Sequence, residues 1–547
     1  MLINTLGGCL AAALALALPS LLPSMAAAEK KPLSAIDWLS QSVKTPMPKG
    51  GVAPQAPAEP AALAPAAIKN GTQANLPPVA NEPKVTTDAL PDQVATTVLG
   101  GTSLDAVGLL PPQVTGFPHD LWGIGHSAEI ARDIADAGQG DVPALQSLLM
   151  TLLLAEAEAP ADSAGSGDLL IARIDKLLTI GALDQAQALI EAAGAASSPE
   201  LFRRSFDVAL LTGEEDKACE VLKSAPGLAP TLTTRVFCLA RAGDWNAAAL
   251  TLRTAQALDN ISAEDDALLS RFLDPEQFDG EPMPPAPKPI TPLVWRIYDA
   301  LGEPLPTTTL PPAFANADLS DRAGWKAQIE AAERLSRAGA IAPNVLLGLY
   351  TDRAPAASGG VWDRADAFQR FDAALTKRDV AAVEQRLPLA YARMKDVEIE
   401  VPFATLFAGP LATMHLTGDA ARISYELGLL SPEYERLAKS PDAGTDARTA
   451  FLAGLAAGSV KGLIAPDSMA RAIAPAFTDP QLPDDIAALI AQKRVGEAML
   501  QAMIRIESGL RGELVKVTEG LSVLRKLGLE DIARRTALQL MLLERRG

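Results

Sequence analysis

Three histidines, His119, His126 and His415, are all the imidazole chemistry that the 547-residue chain offers. His119 and His126 stand beside Asp120 and Glu129, nitrogen and oxygen donors of the kind that hold divalent ions. Gly123 and Gly125 interrupt any helix between them, and the usual three or four ligands at short spacing are missing. Both therefore read as loop histidines, and no metal site is expected. Gly125-His126-Ser127-Ala128-Glu129 holds the first half of a nucleophile elbow, the turn that exposes a catalytic serine between a strand and a helix. The closing glycine is absent and no series of strands surrounds it, so Ser127 is expected to cap the following helix. Among three cysteines, Cys9 lies in an apolar leader, which leaves Cys219 and Cys238 as a pair. No phosphate-binding loop, haem-attachment motif or Cys/His cluster is present, and no cofactor is expected.

The elements that must position these residues announce themselves through one turn. It reads Gly181-Ala-Leu-Asp-Gln-Ala186, Gly213-Glu-Glu-Asp-Lys-Ala218 and Gly243-Asp-Trp-Asn-Ala-Ala248, with glycines 32 and 30 residues apart. A fourth copy is Gly528-Leu-Glu-Asp-Ile-Ala533. A period of this length predicts stacked helical hairpins. The glycine supplies the left-handed residue that ends one helix. The acidic residue meets the positive end of the next helix, and the alanine lets the two helices approach. Apolar periodicity predicts helices over 128–137, 142–158, 168–180, 183–193, 200–211, 216–224, 231–242 and 245–258. Leu170, Ile174, Leu177 and Leu178 form one apolar face. Folded back about residue 227, the helices carrying Cys219 and Cys238 run antiparallel with both thiols at one height. That makes the pair a disulfide candidate in an oxidising compartment; the alternative is two buried reduced thiols.

Gly243-Asp-Trp-Asn-Ala-Ala248 resembles the hairpin turn of tetratricopeptide-type repeats, over roughly residues 168–260 and the last 25. The resemblance implies a concave, protein-binding helical surface. Most of that family's larger apolar positions are missing or shifted, so the unit is tetratricopeptide-like. Ile504-Arg-Ile-Glu507-Ser508-Gly509 is similar to the Glu-Ser motif of lytic transglycosylases, which implies a catalytic acid at Glu507. The downstream Gly-Leu-Met-Gln motif of those enzymes is absent, and the 40 residues after Glu507 are too few for a lysozyme-like domain. Glu507 is expected to be a solvated helix residue.

Residues 1–28 carry no charged side chain and end in Ala26-Ala27-Ala28 before Glu29-Lys30-Lys31. An apolar core followed by small residues reads as a signal peptide cleaved near Ala28. The apolar run follows Cys9 instead of preceding it, which speaks against a lipid anchor. Residues 29–44 form a short amphipathic motif with Ile36, Leu39 and Val43 on one stripe and Trp38 beside them. It suits docking to a partner's groove or onto the chain's own helices. Residues 45–108 are a Pro/Ala-rich linker. A first helical-repeat lobe spans 109–273 and opens on a segment whose Val114, Phe117, Leu121 and Trp122 are expected to cover the first helix. A Pro-rich strap or hinge follows at 274–315, with one short helix at 293–300. A second helical lobe spans 316–547, its clearest helices at 325–338, 365–376 and 379–394.

With 48 basic and 66 acidic residues the net charge is −18. That field argues against nucleic acid and anionic membrane surfaces as partners. No apolar run after the signal is long enough to span a membrane. Thr115-Gly-Phe-Pro-His-Asp-Leu-Trp-Gly123, Gly302-Glu-Pro-Leu-Pro306 and Ala357-Ser-Gly-Gly-Val-Trp-Asp-Arg364 resemble segments of large, Ala-rich exported proteins of alphaproteobacteria. The resemblance implies an envelope location and carries no activity. Taken together, the residues describe an all-α solenoid of helical hairpins in two lobes. It is expected in the periplasm or secreted, acting as a non-enzymatic scaffold or adaptor for envelope proteins. Two rival classes remain. One is a cell-wall hydrolase, or its remnant, using Glu507. The other is a glycan or small-ligand module using exposed aromatics such as Trp325 and Trp362.

Overall fold

The computed structural model describes residues 103–544, apart from 139, 164, 166, 195–197 and 440–445. The signal segment, the 29–44 motif with Ile36, Trp38, Leu39 and Val43, and the linker as far as residue 102 lie outside the described residues.

The described chain is all-helical, and its only β-type pairing is an isolated parallel bridge between Leu110 and Ala155. The leading helices are α1 (Ser127–Asp136), α2 (Pro143–Leu154), α3 (Asp168–Ile180), α4 (Leu183–Ala193) and α5 (Pro199–Thr212). They continue through α6 (Glu215–Ser224), α7 (Leu232–Arg241), α8 (Trp245–Ala257) and α9 (Ala263–Leu273). Within the proline-rich stretch lies α10 (Pro292–Ala300), and then come α11 (Trp325–Arg337), α12 (Pro343–Thr351), α13 (Val361–Thr376) and α14 (Val380–Lys395). The chain closes with α15 (Glu400–Leu411), α16 (Gly418–Leu430), α17 (Ala447–Ala457), α18 (Asp484–Ala491), α19 (Val495–Leu510), α20 (Leu514–Lys526) and α21 (Glu530–Leu542).

The repeated turn has one backbone geometry. Gly181, Gly213, Gly243 and Gly528 all sit at φ between 80° and 83°. In each, the amide one residue past the glycine bonds back five residues, as in Ala182 N to Leu177 O at 2.9 Å and Asp244 N to Leu239 O at 3.0 Å. This Schellman closure satisfies carbonyls that the helix end would otherwise leave open. The alanines five residues on, Ala186, Ala218, Ala248 and Ala533, are all buried, as close helix approach requires.

The same turn recurs where no glycine marks it. Asp259, Arg378, Glu398 and Lys493 take φ between 53° and 60°. Each is followed by the same back-bond, for example Asp379 N to Ala374 O at 3.1 Å and Arg494 N to Leu489 O at 2.9 Å. A non-glycine residue is strained there by about 1–2 kcal/mol. The repeat is therefore more regular in space than in sequence.

The apolar core does not follow chain order. Its largest cluster joins Leu110 through Leu201 with Leu429 through Met541. Helix α1 packs against both α3 and α19, and α2 against α21, so the last helices return to the first. A second cluster fills the space among α11–α16, and a third lies among α5–α10. The core thus cuts across the lobe boundaries drawn at 273 and 316.

Residues 103–108, placed in the linker by composition, belong to this packed body. Asp105 is 1 % exposed. Its carboxylate accepts from Leu170 N at 2.9 Å and from the Ser163 hydroxyl at 2.6 Å. Asp105 thereby caps α3, whose own N-cap position, Gly167, has no side chain to do so. The periodicity extends α2 to Glu158, yet the helix stops at Leu154. There Leu109 N and Leu110 N bond to Leu154 O, and the fully buried Arg173 donates to Leu153 O, Val107 O and Ala155 O at 2.7–2.9 Å. Two of those acceptors, Leu153 O and Leu154 O, belong to the last turn of α2, and bonds from other parts of the chain take the place of further helical amides.

The proline-rich strap is bolted down. Trp295 Nε1 donates to Leu305 O at 3.0 Å, and the Tyr298 hydroxyl to Pro284 O at 2.7 Å. Arg296 reaches from α10 to Glu215 on α6, both buried, at 2.6 Å. Just past the strap, Asn316 Nδ2 donates both to Ala313 O at the strap's end and to Gly181 O at 3.0 Å, tying that end to the first repeat turn.

Candidate functional site

Of the residues that suggest chemistry, His119, His126, Ser127 and Glu507 lie where the leading segment meets the last helices, each with a neighbouring charged group; His415 lies in the loop between α15 and α16. His119 faces Glu158 at 3.1 Å and His126 faces Asp162 at 3.4 Å, separate carboxylates for two exposed rings. Asp120 pairs instead with Lys493 at 2.9 Å, and this ammonium lowers its pKa. Glu129 pairs with Arg494 at 2.6 Å. The donors adjacent in sequence thus diverge in space, and among the described residues no three groups converge as a metal site.

Ser127 is not the cap that its position suggests. His126 occupies the N-cap position of α1 without a side-chain bond, and Ser127 is the first helical residue. Asp162 supplies the cap from 35 residues away, accepting from Ser127 N at 2.9 Å and from its hydroxyl at 2.8 Å. The Ser127 backbone bond, first among several, lowers the Asp162 pKa. The Ser127 side chain, 9 % exposed, is thus engaged by Asp162.

The leading segment is clamped onto the turn before α19 through three glycines. Gly496 N donates to Leu121 O at 2.9 Å. A Cβ at Gly496 would fall 2.4 Å from the buried Trp122 ring, one at Gly123 2.6 Å from Gln492 O, and one at Gly125 2.3 Å from Glu497 Oε1. Arg494 stands at the centre, donating Nε to Glu497 Oε1 at 2.6 Å and Nη2 to Glu129 Oε2 at 2.6 Å. The Glu497 bond first raises the Arg494 pKa, keeping the guanidinium charged. Beside this clamp lies a shallow cleft of about 420 Å³ lined by Glu129, Arg132, Asp133, Asp485, Arg494 and Gln501. Burial raises the Asp133 pKa, against the bond from Gln501 Nε2 at 3.0 Å.

Glu507 is 2 % exposed, not solvated. It lies on α19 within electrostatic reach of Lys176 on α3, whose pKa is lowered by burial and raised in turn by Glu507 and Asp136. Lys176 also donates to Ala135 O near the end of α1 at 2.9 Å. Glu507 therefore belongs to the closure between the two chain ends. Trp325 and Trp362 are not the exposed aromatics that the sequence suggests. Trp325 is 6 % exposed, donates Nε1 to Leu349 O at 2.7 Å, and packs on the half-buried Trp362 with centroids 5.2 Å apart. Cys219 and Cys238 are joined across α6 and α7 as a disulfide, with Cα atoms 5.1 Å apart.

Sequence reasoning missed an outward stripe on α8. Leu250 and Leu258 are 67 % and 71 % exposed, with the exposed Thr254 and Ala257 between them. Spacings of four, seven and eight residues place all four on one side of the helix. Helix α8 packs on α7 and α9, so this stripe points away from its neighbours. The signal was available: in a helix that begins at the repeat turn, leucines out of phase with Ala248, Leu252 and Ala255 must face outward. None of the described helices is long and apolar enough to cross a membrane.

No protein-family model matches the chain, and neither a curated protein nor a solved structure matches it.

Proposed function

We propose that the chain is a non-enzymatic scaffold or adaptor of the bacterial envelope, binding other envelope proteins through its helical-repeat surface. The observation that carries this reading is the pair Leu250 in α8 and Leu258 at its C-cap, large apolar side chains left outward on a hairpin of the tetratricopeptide-like type. Exposed apolar patches on soluble bodies mark interaction sites, and hairpin stacks present extended surfaces to protein partners. The Cys219–Cys238 bridge is compatible with an oxidising compartment such as the periplasm. The candidate catalytic groups Ser127 and Glu507 are buried, and the carboxylates near His119 and His126 are committed to ion pairs.

The test is cross-linking in the native envelope with Leu250→Glu/Leu258→Glu. Both positions are exposed, so the helical circular dichroism and the melting temperature stay as in the wild type while partner cross-links are lost. Unchanged cross-links in the double variant would sink the stripe as the binding surface.

A further inference from the structure

Between the end of α15, the loop 412–417, α16 and the short helix Tyr434–Leu437 lies a cavity of about 280 Å³. Leu411, Met414, Leu416, Ala421 and Leu437 form its apolar wall. Leu411, Leu416 and Leu437 belong to the core among α11–α16, whereas Tyr425, also in the wall, packs against the core that joins the chain ends. The cavity thus sits on the seam between two cores, a common place for ligand sites.

Its polar side is compact and of one character. Ser424, Tyr425, Arg436 and Lys439 line it. The Tyr425 phenol oxygen is buried and has no hydrogen-bond partner, a state that carries a desolvation penalty until an acceptor arrives. Burial, and then the Asp446 charge, raise the Tyr425 pKa, so the hydroxyl stays a donor at neutral pH. Arg436 gives Nε and Nη2 to Glu433, which leaves the exposed Lys439 ammonium to set the charge at this side. Asp446 stays ionised, its pKa lowered by bonds from the Thr449 hydroxyl, Thr449 N and Arg448 N at 2.7–3.1 Å, and opposes an incoming anion; it does not line the cavity, whose polar side chains are all donors. On a chain of net charge −18, an apolar cavity edged by a phenol donor and an ammonium is a local exception.

We propose that this cavity binds a small amphiphilic carboxylate, its chain against Leu411, Leu416 and Leu437 and its head accepting from Tyr425 beside Lys439. The volume is just below the roughly 300 Å³ at which drug-sized pockets begin, which favours a short acyl or aryl chain over a two-tailed lipid. This site is independent of the α8 stripe, so it stands or falls separately from the scaffold reading.

The experiment titrates the full chain calorimetrically with octanoate, octanol and octyltrimethylammonium. Octanoate is expected to saturate at one equivalent. Octanol binds at least tenfold more weakly and the cation not at all. Tyr425→Phe, which keeps the ring, weakens octanoate by about tenfold, the usual size of a hydrogen bond to a charged group. Ala421→Trp fills the cavity and abolishes binding without lowering the melting temperature. Lack of saturable octanoate binding overturns the proposal. So does equal affinity for octanol and octanoate, or a Tyr425→Phe variant that binds octanoate like the wild type.

Discussion

The hairpins α3–α8 and the junction of the chain ends are built from the same helices but held by different kinds of contact. In the hairpins each turn closes on itself: a left-handed residue, a back-bond of five residues and a small side chain five positions later. At the junction the first three helix starts are finished from far away. Asp162 caps α1, Asp105 caps α3, and Gln539 Oε1 accepts from Ala144 N at the start of α2 at 2.8 Å across 395 residues. Local closure makes a repeat, whereas long-range capping makes a ring of packing that couples the first helices to the last.

The largest way to break that comparison is Arg173→Met. Arg173 is fully buried and its three bonds to carbonyls hold the leading segment against the end of α2; burial lowers its pKa to about 10, so it remains charged. Leaving those carbonyls without a donor is expected to reduce stability by about 3–4 kcal/mol, read from denaturant midpoints. A loss below about 1 kcal/mol would mean the closure is not held there.

Glycines sharpen the contrast next. Gly496→Ala drives a methyl into the Trp122 ring, and even with the better helix propensity of alanine should lose about 2 kcal/mol. Gly243→Ala has nothing within 4 Å of the new Cβ and meets only the φ of 80°, so about 1 kcal/mol is expected. Equal effects in thermal unfolding would erase the distinction between a glycine needed for approach and one needed for a turn.

A smaller effect depends on pH. Asp207 on α5 is pushed up to about 6 by burial, against the nearby Arg203 and Arg204. A carboxyl with a folded pKa above its unfolded value of about 3.9 favours folding most below that value, and loses the benefit as pH rises through 6. Asp207→Asn should therefore gain about 1–2 kcal/mol at pH 7 relative to the wild type, with no advantage at pH 4. A difference that is flat between the two pH values would contradict the shift. Smallest is Arg378→Gly, where relief of the left-handed strain should add about 0.5–1 kcal/mol.

The difference between the two regions also explains what was legible beforehand. Helices at Asp168–Ile180 and Leu183–Ala193 match their expected bounds to the residue, because glycine and alanine mark both sides of their shared turn. The height of Cys219 and Cys238 followed from the same register. Ser127 as a cap, Glu507 as a solvated residue and α2 running to Glu158 all failed at the junction. There the deciding partners, Asp162, Lys176 and Arg173, lie 20 to 331 residues away on other elements, and no local pattern points to them. The turns at Asp259, Arg378 and Glu398 escaped notice for a related reason. Packing imposes their left-handed backbone, and the residue type does not disclose it.

The coupling of the chain ends is tested most directly by hydrogen exchange on the wild type and Arg173→Met. The closure predicts that the variant loses amide protection together in α1–α3 and in α19–α21, while α6–α9 exchange as before. Loss confined to α1–α3, with α19–α21 still protected, would contradict it.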